Sequence, residues 1–157
     1  MDRHRAWNAE IARDVIALHR GRDGAMLPIL HDLQETFGYI PDEAKQLIAD
    51  ALNVSRAEVH GVVTFYHDFR EAPAGRHVLK LCQAEACQSR GCDTLTARAE
   101  AALGIKLGET SADGRITLEP VYCLGLCATA PSAMIDGRVV GRLDDKKLDA
   151  LLNEADR

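Results

Sequence analysis

Tyr122-Cys-Leu-Gly-Leu-Cys-Ala-Thr-Ala-Pro-Ser-Ala-Met-Ile-Asp-Gly137 joins a Cys-x3-Cys pair to the opening of a hairpin. Asp136-Gly137 stands between two apolar runs within residues 132–141 and is a favoured two-residue turn. A second pair, Cys82-x4-Cys87, follows the alternating run His77-Val-Leu-Lys-Leu-Cys82, which reads as a strand. Each pair is short enough to chelate one tetrahedral centre. Two pairs offer four thiolates, suited to one zinc ion or to a 2Fe-2S cluster with two thiolates per iron. Spacing alone does not separate these metals. The surroundings favour the cluster: Leu124, Gly125, Leu126, Ala128 and Ala130 make the second loop small and apolar, so backbone amides must solvate the charge. For a cluster that charge is about −2 oxidised and about −3 reduced, and amide hydrogen bonds to sulfur stabilise it. Gly125 and Gly91 are expected to let the backbone come close.

Outward from the pairs, residues 76–157 read as strand, helix, strand, strand, strand, helix. Leu95, Ala99, Ala102 and Leu103 carry a helix over 94–103, and Leu148, Leu151 and Leu152 carry the last one. In the second strand region, 115–123, Pro120 argues for an edge position or a bulge. The order describes a small α/β sandwich with both cysteine pairs at one end of its sheet.

Residues 1–70 read instead as a helical bundle. Trp7, Ile11, Val15 and Leu18 recur at helical spacing before Gly21 and Gly24. Pro28 suits the first turn of a second helix stopped by Gly38, and a third follows Pro41 with Ala44, Leu47, Ile48 and Ala51 on one face. Ser55-Arg-Ala-Glu58 is a capping box for a fourth, with Val54 and Val59 placed as its hydrophobic staple and Val59, Val62, Val63 and Tyr66 as its apolar face. Glu71-Ala-Pro-Ala-Gly75 is a breaker between the two parts.

A chain of 157 residues with formal charge −5 can bury a core and has no basic footprint, which argues against nucleic acid or an anionic membrane surface as partner. No apolar run reaches the length of a membrane span, and residues 1–7 lack the apolar core of a signal peptide. The expected location is cytoplasmic, where clustered cysteines serve metals or catalysis rather than disulfides.

The loops Leu81-Cys-Gln-Ala-Glu-Ala-Cys-Gln-Ser-Arg-Gly91 and 122–137 resemble the ligand loops of the thioredoxin-like 2Fe-2S ferredoxins, and more closely those of the complex I 24 kDa subunit family. The N-terminal half agrees, in Leu30-x-x-Leu33-Gln-Glu-x-Phe37-Gly-Tyr-Ile-Pro41 and Gly61-Val-Val-Thr-Phe-Tyr66. Within the family, residues 82–87 and 108–127 are most similar to the gamma subunit of NAD-dependent, molybdenum-containing formate dehydrogenase.

The resemblance implies an α+β fold: an N-terminal helical bundle (1–70), then a thioredoxin-like α/β domain with a small mixed sheet (76–157). It implies that Cys82 and Cys87 bind one iron of a 2Fe-2S cluster and Cys123 and Cys127 the other. It implies a non-catalytic electron carrier of an oxidoreductase complex. The implied neighbours are a flavin-containing NAD-binding subunit and a larger iron-sulfur/molybdenum catalytic subunit. Formate dehydrogenase is the finer reading, and a complex I or NAD-linked hydrogenase module is the alternative. Thioredoxin-like folds also place a cis proline where Pro131 stands.

Other readings carry less. A zinc-stabilised scaffold remains the competitor from a different class. Thiol oxidoreductase chemistry expects Cys-x-x-Cys, which neither pair has. Cys92 lies outside the pairs and reads as a small apolar residue at a helix start. The six histidines are scattered, Thr64-Phe-Tyr66 reads as bundle core before partner surface, and no nucleotide-binding glycine loop or nucleophile-base set is present.

Overall fold

Helices α1 (Ala9–His19), α2 (Met26–Phe37), α3 (Asp42–Leu52) and α4 (Arg56–Phe65) build the first part of the computed structural model, which describes residues 4–155. Their ends have local causes. Asn8 Oδ1 accepts the amides of Glu10 and Ile11 at 2.8 and 3.1 Å and caps α1. Gly38 closes α2 at φ +82, a left-handed backbone in which glycine avoids a Cβ clash. At α4 the capping box forms reciprocally: the Glu58 amide donates to Ser55 Oγ at 3.2 Å, and the Ser55 amide donates to Glu58 Oε2 at 2.8 Å. Val54 and Val59 both pack in the bundle core beside it.

Ile29, Leu30 and Leu33 of α2, Ile48 of α3 and Val59 of α4 are fully buried together. Each such side chain stabilises the fold by roughly 1.5–3 kcal/mol relative to exposure. The inward faces differ in places from the apolar pattern. On α1, Ala12 and Ile16 are buried and Leu18 is exposed. On α3, Lys45 and Ala49 are buried with Ala44 and Ile48, while Ala51 is exposed.

Lys45, only 1 % exposed, is held by charge: its Nζ donates to Asp42 Oδ1 at 3.0 Å and to Glu71 Oε1. Burial alone would lower its pKa, but these carboxylates outweigh burial and raise it. The core assignment of Thr64-Phe-Tyr66 is overturned: Phe65 is 73 % and Tyr66 43 % exposed. At about 100° per residue, Phe65 lies about 200° around α4 from buried Val63, on the far side of the helix. The rings of Phe65 and Tyr66 pack edge to face at 5.0 Å.

Described by contacts, the chain divides into two units, Met1–Pro73 and Ala74–Arg157. The second runs β1 (His77–Cys82), α5 (Glu85–Gln88), α6 (Cys92–Leu103), β2 (Ile116–Val121), a 3-10 turn (Cys127–Thr129), β3 (Ala133–Ile135), β4 (Arg138–Val140) and α7 (Asp145–Ala155). The sheet order is β2-β1-β3-β4, with β1 and β2 parallel and the remaining pairs antiparallel. A parallel pair needs a crossover, and α6 lies within the connection.

Alternate strand residues put Leu79 and Leu81, Ile116 and Leu118, and Ala133 and Ile135 into one core with Leu95 and Ala99 of α6 and Leu148 and Leu151 of α7. β2 is an edge strand, one of the two positions expected from Pro120. Residues 108–111 cover part of its outer side, through Gly108 N–H to Leu118 O at 2.6 Å and Ser111 N–H to Ile116 O at 2.8 Å. The Asp136-Gly137 turn has φ +48 and +88, as a type I′ hairpin needs. This is the mixed α+β, thioredoxin-like architecture anticipated above, with α6 starting two residues early and the short α5 added.

Candidate metal centre

Strand direction brings the cysteine loops together. β1 and β2 run parallel with Cys82 opposite Val121, and antiparallel β3 begins with Ala133 opposite Leu81. The end of β1, the loop after β2 and the entry to β3 therefore share one end of the sheet. Cys82 closes β1, Cys123 follows β2, and Ser132 precedes β3. The single turn of α5 carries Cys87 back beside Cys82, with the Cys87 amide donating to Ala84 O at 2.9 Å. Cys127 opens the 3-10 turn.

The thiols stand two by two. Cys123 Sγ and Cys127 Sγ are 3.6 Å apart and exposed. Cys82 and Cys87 are buried and interact through their thiols. Two sulfurs on one tetrahedral metal are about 3.7 Å apart for a metal–sulfur bond of about 2.3 Å, so the exposed pair already has a chelating separation. Among the described residues no three His, Cys, Asp or Glu side chains converge as ligands of one ion. The donor set of four soft thiols, arranged as two pairs, fits a two-iron cluster.

The backbone is shaped around the sulfurs. Cys123 has φ +88, an uncommon conformation for a residue with a Cβ, and such conformations gather at functional sites. Gly125 has φ +74, and its amide donates to Cys123 Sγ at 3.3 Å. Gly91 and Gly125 hold a positive φ, +83 and +74, and no protein atom lies within 4 Å of where a Cβ on either would stand.

Electrostatics differ between the thiols. Burial pushes Cys82 up, but hydrogen bonds from the Ala84 amide, Cys87, the Cys123 amide and Ser132 outweigh it, and Cys82 lies below its ordinary value. Burial and the neighbouring Cys82 push Cys87 up. Cys127 is raised by its hydrogen bond with Cys123 and by the charge on that neighbour. Cys92, buried as the first residue of α6, is pushed up to about 11 by burial and then by Asp93. It packs against Cys82 and Cys87 in a small apolar cluster with Ala84, Val121, Leu124 and Ala130, which is the packing role expected of it.

Two further features of the site have weak sequence signals. Ser132, 2 % exposed, sets its hydroxyl 3.6 Å from Cys87 Sγ. A lone serine beside a proline carries no pattern, and only its place just before a strand near the second pair could have flagged it. Gly141 abuts the second ligand loop: a Cβ there would fall 2.5 Å from Thr129 Oγ1. The Ala130–Pro131 bond is cis, as the resemblance implies. Among the histidines, His77 Nδ1 pairs with Asp136 Oδ2 at 2.7 Å and His19 Nε2 with Asp32 Oδ2 at 2.5 Å.

Comparison with known proteins identifies the family. Residues 12–156 match the model of the family described as thioredoxin-like [2Fe-2S] ferredoxin. The chain is 34 % identical over 133 residues to the NADP-reducing hydrogenase subunit HndA of Solidesulfovibrio fructosivorans, covering 85 % of this chain and 78 % of the relative. It is 38 % identical over 128 residues to a subunit of the NADH-quinone oxidoreductase of Escherichia coli K12, covering 82 % and 77 %. An air-oxidised NAD+-reducing [NiFe]-hydrogenase superposes with TM-score 0.71 at 27 % identity, over 83 % of this chain and 22 % of that longer chain.

Proposed function

The chain belongs to the thioredoxin-like [2Fe-2S] ferredoxin family, and from that membership we propose that it is the electron-carrying subunit of a soluble NAD-linked dehydrogenase complex. The cofactor is a 2Fe-2S cluster, which when bound takes up and releases one electron. In this reading Cys82 and Cys87 hold one iron and Cys123 and Cys127 the other. The observation that carries it is the asymmetry of the two pairs: one thiol pair is buried against the sheet and the other is exposed on an uncharged loop. An electron can thus reach the site through the exposed face without a substrate pocket.

The chain's own groups are suited to holding the added charge. The amides of Gly125, Ala84 and Cys123 donate towards sulfur and the Ser132 hydroxyl lies 3.6 Å from Cys87 Sγ, and hydrogen bonds to sulfur favour the more negative state. Ala128 and Ala130 add no charge to the exposed loop.

The complex is proposed to pair this chain with a flavin-containing NAD-binding subunit and a larger iron-sulfur/molybdenum catalytic subunit, as in NAD-dependent formate dehydrogenase. Support for formate comes from residues 82–87 and 108–127. The similarity to HndA and to the NAD+-reducing hydrogenase favours a second reading, the same role in a hydrogenase or complex I module. No helix among the described residues is long and apolar enough to cross a membrane, and a cytoplasmic location is proposed with the complex. Purification of the native complex, with identification of its subunits and metal analysis, tests this. Molybdenum with formate-dependent NAD+ reduction supports the first reading, and nickel with hydrogen-dependent reduction supports the second.

A further inference from the structure

Ser132 is one of three polar or charged residues buried among the described residues, and it is the one that lies at the thiols. Its carbonyl accepts the Cys82 amide at 3.1 Å, which fixes the entry to β3 against the end of β1. Its hydroxyl sits 3.6 Å from Cys87 Sγ and also hydrogen-bonds Cys82, and its backbone amide is a second donor to Cys87 that a side-chain substitution leaves in place. Either the hydroxyl or the thiol could donate while Cys87 carries a proton. A metal-bound Cys87 is a thiolate with nothing to donate, so the serine hydroxyl must then be the donor. Burial removes water as a competing partner, and a hydrogen bond to a charged acceptor in a dry site is among the stronger ones.

We propose that Ser132 is a positioning residue that aims its hydroxyl at the Cys87 sulfur and raises the reduction potential of the centre. This rests on the assignment of Cys87 as an iron ligand. Reduction adds one negative charge, so a fixed donor at sulfur stabilises the reduced state more than the oxidised one. Removing the donor therefore shifts the balance towards the oxidised state. The volume change in Ser132→Ala is a single oxygen, which leaves the packing of β3 in place.

The test begins with iron and acid-labile sulfide content of the wild-type chain. Absence of both overturns the ligand assignment itself, independently of Ser132. With the cluster present, a dithionite titration of Ser132→Ala is expected to show about a tenfold fall in the reduced-to-oxidised ratio at a given potential, equivalent to about 59 mV for one electron. Iron–sulfur stretching bands in the resonance Raman spectrum should shift in deuterated water for wild type and lose part of that shift in Ser132→Ala. Ser132→Thr keeps a hydroxyl and should return both readouts towards wild type. A loaded Ser132→Ala chain with unchanged potential and unchanged deuterium sensitivity overturns the proposal. If Ser132→Ala does not hold a cluster, Ser132→Thr decides: a wild-type potential supports the proposal, and an unloaded or shifted threonine variant refutes it.

Discussion

Replacing Gly125 with valine separates two accounts of the exposed ligand loop. No protein atom lies within 4 Å of where a Cβ at Gly125 would stand, so a clash with the chain itself predicts no effect. The backbone predicts otherwise. Gly125 has φ +74, and a residue with a Cβ pays about 1–2 kcal/mol to occupy the left-handed region, with β-branched residues at the upper end. That energy reduces the population of the native loop by a factor of roughly 5 to 30. The alternative loop withdraws the amide that donates to Cys123 Sγ at 3.3 Å. The assay is anaerobic bleaching of the cluster's visible absorption by an iron chelator. Gly125→Val should bleach roughly tenfold faster than wild type, within that range. Gly125→Asn, which tolerates a positive φ, should stay close to wild type. If valine and asparagine bleach alike at the wild-type rate, the left-handed backbone is not what holds the loop, and the reasoning fails.

Serine at Cys82, Cys87, Cys123 or Cys127 should lower cluster content, because a hydroxyl replaces a soft thiolate poorly, while Cys92→Ser should keep it; iron analysis of the five variants checks this. With its pKa near 11, Cys92 is a thiolate in roughly one molecule in a thousand at pH 8 and should resist alkylation until the pH nears 11, as read by mass spectrometry. Phe65→Ser should leave the thermal stability within about 0.5 kcal/mol, since the ring is exposed, whereas a buried aromatic would lose several times more; calorimetry decides. The isolated chain should accept electrons from dithionite yet oxidise neither NADH nor formate, and steady-state assays with and without the partner subunits test that requirement.

The features legible in the sequence are those whose cause lies within a few residues. The Ser55–Glu58 capping box, the Asp136-Gly137 turn and the two cysteine pairs each declare themselves by spacing, and the structure forms the first two as written. Pro120, which has no amide to give, likewise points to an edge strand or a bulge, and β2 lies at the edge. What escaped the sequence depends on contacts between distant segments. Lys45 is buried because Glu71, 26 residues away, reaches its ammonium, and hydropathy assigns a lysine outward. Phe65 looks like core by composition, but its angle from Val63 turns it to solvent. Ser132 comes to lie beside Cys87, 45 residues earlier, and the positive φ of Gly91 and Gly125 is not announced by spacing.

Quantifying iron, acid-labile sulfide and zinc in anaerobically purified chain tests the centre most directly. Four thiols arranged as two pairs should yield about two irons and two sulfides per chain, with visible absorption that bleaches on one-electron reduction. One zinc per chain, without sulfide and without visible absorption, would contradict the account and make this chain a zinc-held scaffold.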